Sequence, residues 1–346
     1  MIDIIDKDNM FKSISDFPDN IIDAINIGEK IDFKNNYSQI NKIIISGMGG
    51  SAIGGDIVYA LIKNEINIPY FVQRGYDIPK WVDSSTLVIC SSYSGNTEET
   101  LTVFRKAVIA GAKVIGITTG GTLHQECKIN NFDYVQIPSG LQPRAALAFS
   151  FVPLLFILLN LDKISDKFIS ILQSSSNSLE KKKHIYSKKI DDNPTWDLAK
   201  NIYNTLPIIY ADSDQLKSVA LRIKGQICEN GKILCYHNIF PEMNHNEIVG
   251  WENNFEYFKN YSVIWLIDPS LNSRNSARQK IVFDMFNELN ISQYTIQVTG
   301  DTFEERFLSL IFYGDWLSYW IAILHKTDPS PVNKISNLKN KLSNII

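Results

Sequence analysis

The 346-residue chain predicts an α/β protein of two doubly wound domains, each a mainly parallel sheet flanked by helices. Three observations carry this. Apolar runs such as TLVIC (86–90) lack in–out alternation, as expected for strands covered on both faces. Helical stretches separate these runs, the mark of βαβ units. The same alternation begins again after a polar, Ser- and Lys-rich interval. The spacing predicts a first domain over 1–162, a helical linker over 163–195 and a second domain over 196–346.

In chain order, 8–31 reads as a helical lead-in, with Pro18 breaking it near the middle. Strands are expected at 41–45, 68–72, 86–90, 113–117 and 134–137. Helices should follow the first to about 63, span 96–110 and 122–129, and close the domain over 145–160. The interval 163–195 carries weak helical periodicity and reads as an exposed helix. In the second half, strands are expected at 206–211, 233–236, 262–267 and 294–298, with helices over 215–229, 273–289 and 303–325. A short helix over 334–342 ends the chain.

Composition narrows the class. Hydrophobic content of 45% and charged content of 21% describe a soluble globular protein. A formal net charge of −3 argues against nucleic-acid binding, which favours a basic stripe. The acidic start MIDIIDKDNM is unlike a signal peptide. The run 145–159, interrupted by Ser150 and Pro153, falls short of the roughly 20 residues a membrane span needs. Cys90, Cys127, Cys228 and Cys235 have no metal or redox spacing, so they read as core thiols in a reducing, cytoplasmic setting.

Two turns carry chemistry. SSYSGNTEET (91–100) follows a buried strand and opens a helix, placing Ser92, Ser94 and Thr97 around Gly95, with Asn96 as the expected cap. A helix N-terminus presents unpaired N–H groups and positive potential, so it suits a phosphate. GMGGSAIGG (47–55) opens the preceding helix and brings Gly49, Gly50 and Ser51 to the same sheet edge. Its glycine spacing also matches a dinucleotide fingerprint, but the next strand ends VQRG with no acid for a ribose. Arg74 leaves only an NADP-dependent dehydrogenase open. In the second half ADSD (211–214) stands where a phosphate turn would be, so the phosphate site is expected in the first half alone.

Together, ISGMGGSAIGGD, SSYSGNTEET, QPRAA (142–146), QICEN (226–230), PEMNHNE (241–247) and the tail from DPSPV (328–332) to Leu338-Lys339 resemble the bifunctional phosphoglucose/phosphomannose isomerases of archaea and bacteria. That family has the sugar isomerase (SIS) fold, and the resemblance spans essentially the whole chain. Ser330 stands where related tails often carry threonine.

The resemblance implies a metal- and cofactor-independent aldose–ketose isomerase acting on glucose 6-phosphate, mannose 6-phosphate and fructose 6-phosphate. Such chemistry needs a base at adjacent carbons, a proton shuttle at the ring oxygen and a cation near the enediolate. By resemblance these are Glu229, His245 and Arg144, with Lys339 reaching the site from the terminal helix. Ser51, Ser92, Ser94 and Thr97, with the backbone at Gly49 and Gly50, would hold the phosphate. The resemblance further implies a homodimer in which the histidine comes from the neighbouring subunit. The rival is a non-catalytic sugar-phosphate sensor, which needs the phosphate turns without the other groups.

Overall fold

The computed structural model describes residues 2–345. It begins with α1 (Ile2–Ile5), α2 (Met10–Ser15) and α3 (Phe17–Gly28). The Asp6 carboxylate accepts the Met10 and Phe11 N–H groups at 2.7 and 2.8 Å and so starts α2. Pro18 lies in the first turn of α3, where its missing N–H has no helical partner to lose. It therefore starts a helix, where the sequence reading had it breaking one.

The first alternation runs β1 (Lys42–Ser46), α4 (Gly49–Ile62), β2 (Tyr70–Gln73), β3 (Thr86–Ser91), α5 (Glu98–Ile109), β4 (Lys113–Thr118), α6 (Gly121–Ile129), β5 (Asp133–Gln136) and α7 (Ala148–Asn160). Every strand pair is parallel, in the order β2-β1-β3-β4-β5. The order turns back at β1, which has β2 on one side and β3 on the other. That switch opens a crevice at the carboxyl ends of β1 and β3, where both the glycine-rich and the serine-rich turn begin. All six residues of β3 are buried, as their unbroken apolar pattern anticipates.

Next come α8 (Lys167–Tyr186), α9 (Pro194–Ile202), β6 (Leu206–Asp212), α10 (Lys217–Glu229), β7 (Tyr236–Phe240), three short 3-10 helices between 242 and 260, β8 (Tyr261–Leu266), α11 (Ser273–Glu288), β9 (Ser292–Ile296), α12 (Phe303–Leu324) and α13 (Asn333–Leu342). The second sheet is also fully parallel, ordered β7-β6-β8-β9. Its floor is aromatic: Tyr210, Phe240, Trp265 and Phe286 are buried together.

Several elements differ from expectation. Strand β7 lies at Tyr236–Phe240, past the apolar 233–236, because it is an edge strand whose first four residues are exposed or half-buried. Leu234, inside the expected strand, is 66% exposed. The interval expected as an exposed linker contains α8, which buries Phe168, Leu172 and Leu179. Helix α9 was not anticipated; Asn193 caps it by accepting the Thr195 N–H at 3.0 Å. Helix α12 is long and apolar enough to cross a membrane, yet 94% of its apolar window is buried within the protein.

The chain forms two compact units. One comprises Asp16–Lys181 with Gly300–Ser309 and holds the five-stranded sheet; the other comprises Met1–Ser15, Lys182–Thr299 and Leu310–Ile346 and holds the four-stranded sheet. This division departs from the expected 1–162, 163–195 and 196–346. The first helices group with the second sheet: the Phe11 ring meets Trp316 and Tyr319 edge-on at 5.0 and 5.6 Å.

A buried ion pair fixes α10 within the four-stranded unit. Arg222 holds both carboxylate oxygens of Asp315 at 3.2 and 2.9 Å, and Gln226 adds a third bond at 2.8 Å. Burial pushes the Asp315 carboxyl up, and the Arg222 charge and these bonds pull against that shift. Asp315→Ala should destabilise the protein by about 3–5 kcal/mol, since it strands a buried guanidinium. The double change R222M/D315L should cost clearly less. Urea melts check this; equal losses in the two proteins would refute the account.

Candidate functional site

The glycine-rich turn divides its residues between packing and opening. A Cβ on Gly54 would sit 2.8 Å from that of Ser150 on α7, and one on Gly50 would sit 2.9 Å from the Pro143 carbonyl. Gly54 therefore serves close helix packing, while Gly50 lets the start of α4 approach the backbone that leads into Arg144. Gly49 opens α4 at φ +49°, a left-handed conformation, and a Cβ there would meet nothing within 4 Å. Ser51 lies in the first turn, 9% exposed. The residue at the N-cap of α4 is Met48, which makes no side-chain cap.

SSYSGNTEET folds as a turn wedged against the loop after β4. Gly95 has φ +70°, and a Cβ there would lie 1.8 Å from the Gly120 carbonyl oxygen. Asn96, expected from sequence to cap α5, does not; the cap position falls to Thr97. The Asn96 Oδ1 accepts the Thr122 N–H and hydroxyl, both at 3.0 Å, and so ties the turn to the start of α6. Thr97 takes the α5 cap position without a side-chain cap bond, because its Oγ1 lies 2.9 Å from the Ser92 Oγ. Ser92 is buried and Ser94 exposed, where its Oγ accepts the Asn96 N–H at 3.2 Å.

Tyr93 is the residue the sequence reading passed over. Its hydroxyl accepts the Leu141 N–H at 3.0 Å, and its carbonyl accepts the Thr119 N–H at 3.1 Å. One side chain thus joins the serine turn to the segment bearing Arg144. A tyrosine between the serines of SSYSG was the only available signal. Arg144 is 4% exposed, a burial a guanidinium tolerates only among partners. The five-stranded unit therefore gathers Gly49, Gly50, Ser51, Ser92, Ser94 and Thr97 at one sheet edge, with the Arg144 backbone against Gly50. The guanidinium of Arg74, the one feature favouring NADP, is paired with Asp56.

In the four-stranded unit, the equivalent turn is closed by the chain itself. The Asp212 carboxylate accepts the N–H groups of Asp214 and Gln215 at 2.8 Å each and the Asn275 amide at 2.5 Å. Those donors are already used by a buried anion, in keeping with a phosphate site confined to the other sheet.

Glu229 is the last residue of α10 and half-buried. The turn after it is pinned: Asn230 donates to the Ser318 hydroxyl at 2.9 Å, and a Cβ on Gly231 would lie 2.7 Å from the Ile227 carbonyl. Lys232, at φ +57°, donates from Nζ to the Glu229 carbonyl and, at 3.0 Å, to that of Pro329. His245 ends the 3-10 helix Glu242–His245 and is exposed. Its segment is anchored on both sides. Met243 is fully buried, and the Glu247 carboxylate accepts the Tyr210 hydroxyl and the Asn238 amide, each at 2.5 Å. Burial and the Glu247 charge push the Tyr210 hydroxyl well up, so it stays a donor. Lys339 lies on α13, a helix with no buried residue. Glu229, His245 and Lys339 thus belong to one unit, and Arg144 with the glycine- and serine-rich turns to the other.

Residues 191–342 match the family model described as the bacterial phospho-glucose isomerase C-terminal SIS domain. A bifunctional phosphoglucose/phosphomannose isomerase of Caldicellulosiruptor bescii is 41% identical, over 97% of this chain and 99% of its own length. One from Aquifex aeolicus is 32% identical over 87% and 90%. The C-terminal domain of glucosamine-fructose-6-phosphate aminotransferase from Francisella tularensis shares the fold, with a TM-score of 0.71 and 15% identity over 93% of this chain and 98% of that one.

If the two uncapped helix starts hold an anion, Ser92→Ala and Thr97→Val should each weaken binding of inorganic phosphate. About 10- to 100-fold is expected, since a hydrogen bond to a charged group contributes about 1.5–3 kcal/mol. Calorimetric titration reads it; unchanged affinity in both variants would remove this turn from the site.

Proposed function

The chain belongs to the bifunctional phosphoglucose/phosphomannose isomerase family, and we propose that it interconverts glucose 6-phosphate and mannose 6-phosphate with fructose 6-phosphate. The observation that carries this reading is the pair of parallel-sheet turns whose helices start without a side-chain cap, beside a buried arginine. Sugar phosphates suit such turns, because the phosphate takes the N–H groups and hydroxyls while the sugar extends beyond them.

In this reading Ser51, Ser92, Ser94 and Thr97 fix the phosphate. His245 moves a proton at the ring oxygen and opens the ring. Glu229 takes the proton from C2 of the aldose and returns it to C1, while the C2 hydroxyl proton passes to the C1 oxygen, so that the carbonyl moves from C1 to C2. Arg144 steadies the enediolate oxygen between those steps, the point of greatest negative charge. Either rotation about C2–C3 of the open chain or a roomy site lets one carboxylate serve both C2 epimers. Lys339 assists from α13. We further propose a homodimer sharing its site, which the exposure of His245 supports, and a cytoplasmic role in glycolysis and gluconeogenesis.

The test supplies fructose 6-phosphate and measures glucose 6-phosphate and mannose 6-phosphate separately. Both should form, and Glu229→Gln should lower both rates by about 10²- to 10⁴-fold, the share of a positioned base. Phosphate affinity should be retained. A wild-type protein that binds sugar phosphates and forms neither product would instead be a sensor.

A further inference from the structure

The four-stranded unit carries an apolar groove and, separately, an apolar helix face. The groove is a cavity of about 450 Å³ between the 3-10 segment after His245 and α11. Trp251 and Phe286 form its floor, with ring centroids 4.6 Å apart, and Val249, Phe255, Met285 and Leu289 form its walls. Val249, Phe255 and Met285 are 59%, 56% and 46% exposed. Two carboxylates, Glu252 and Glu288, also line it.

Helix α13 is the complement. Ile335, Leu338 and Leu342 fall at i, i+3 and i+7, on one face, and are 42%, 58% and 46% exposed. Lys334 and Lys341 flank that stripe, and the helix buries none of its residues in its own chain. An aliphatic stripe with flanking lysines meets an aromatic groove with carboxylates on its rim. Since α13 does not fill the groove of its own chain, the occupant that fits is the same helix from a second copy.

We propose that α13 of each copy docks, apolar stripe inward, into the groove of the other, with Lys334 and Lys341 against Glu252 and Glu288. Each copy gives one helix and receives one, so the exchange closes as a two-fold dimer. The groove wall continues directly from His245, so docking braces the segment that carries it. This deepens the homodimer reading above and rests on it.

The test is sedimentation of the full chain with charge reversals. E252K/E288K and K334E/K341E should each weaken self-association by about 100-fold, because each sets like charges opposite one another at both contacts. Mixed in equal amounts, the two should form heterodimers, since both groove–helix pairs then have opposite charges; unchanged far-UV circular dichroism shows the variants are folded. A dimeric wild type whose reversed variants stay dimeric, or whose monomeric variants fail to pair when mixed, overturns the docking and leaves the homodimer standing. A monomeric wild type overturns both, and one that pellets with anionic vesicles assigns the α13 face to lipid.

Discussion

The starts of α4 and α5 leave backbone N–H groups at one sheet edge without a side-chain acceptor, and the five-stranded unit is arranged around keeping them so. A residue that could cap α5, Asn96, is turned onto α6 instead. Thr97, at the cap position, shares its hydroxyl with Ser92. Gly50 admits the Pro143 carbonyl, and Tyr93 holds Leu141, so the backbone on either side of Gln142 is fixed before Arg144 begins. A capping side chain at either helix would satisfy the donors permanently and remove the reason for the rest.

In the four-stranded sheet the turn after the first strand is filled from within the chain. Its first strand also runs into a turn and a helix, but Asp212 supplies the anion from within the chain. A phosphate arriving there would face a fixed negative charge and donors already taken. Asp212 thus closes the turn ahead of α10, and Arg222 and Gln226 lock the middle of the helix to Asp315. Two sheets of like topology thus treat the turn after a central strand differently, one left open and one filled.

Much of this was legible from the chain. Strands buried on both faces, such as β1 and β3, have no competing pattern, and their positions agree with the sequence to within a residue. Strand β7 was displaced because an edge strand needs no apolar run, and His237 and Asn238 gave none. Helix α8 read as exposed because its buried serines, Ser175 and Ser176, hide a packed face behind a polar composition. At the site, the hydroxyls and glycines were visible as residue types. The partners that orient them were not: the Tyr93–Leu141 bond spans 48 positions and the Asn96–Thr122 bonds span 26. Local sequence carries no trace of such pairings.

Glu229 shows why the surroundings of a reactive group matter as much as its identity. A helix C-terminus disfavours a negative charge, so a glutamate there works against helix stability. The structure offsets this with Lys232, whose ammonium sits on the Glu229 carbonyl and reaches Pro329, and with the buried amide of Asn230. Three polar tethers and a close-packed glycine allow that turn little freedom. His245 is held differently, exposed at the tip of a short helix whose anchors, Met243 and Glu247, lie two residues to either side. In the proposed isomerisation, a base serving two adjacent carbons would gain from being immobile. A histidine proposed to act once, at the ring oxygen, would tolerate a looser mount, and an exposed mount is the kind that could serve a site outside its own chain.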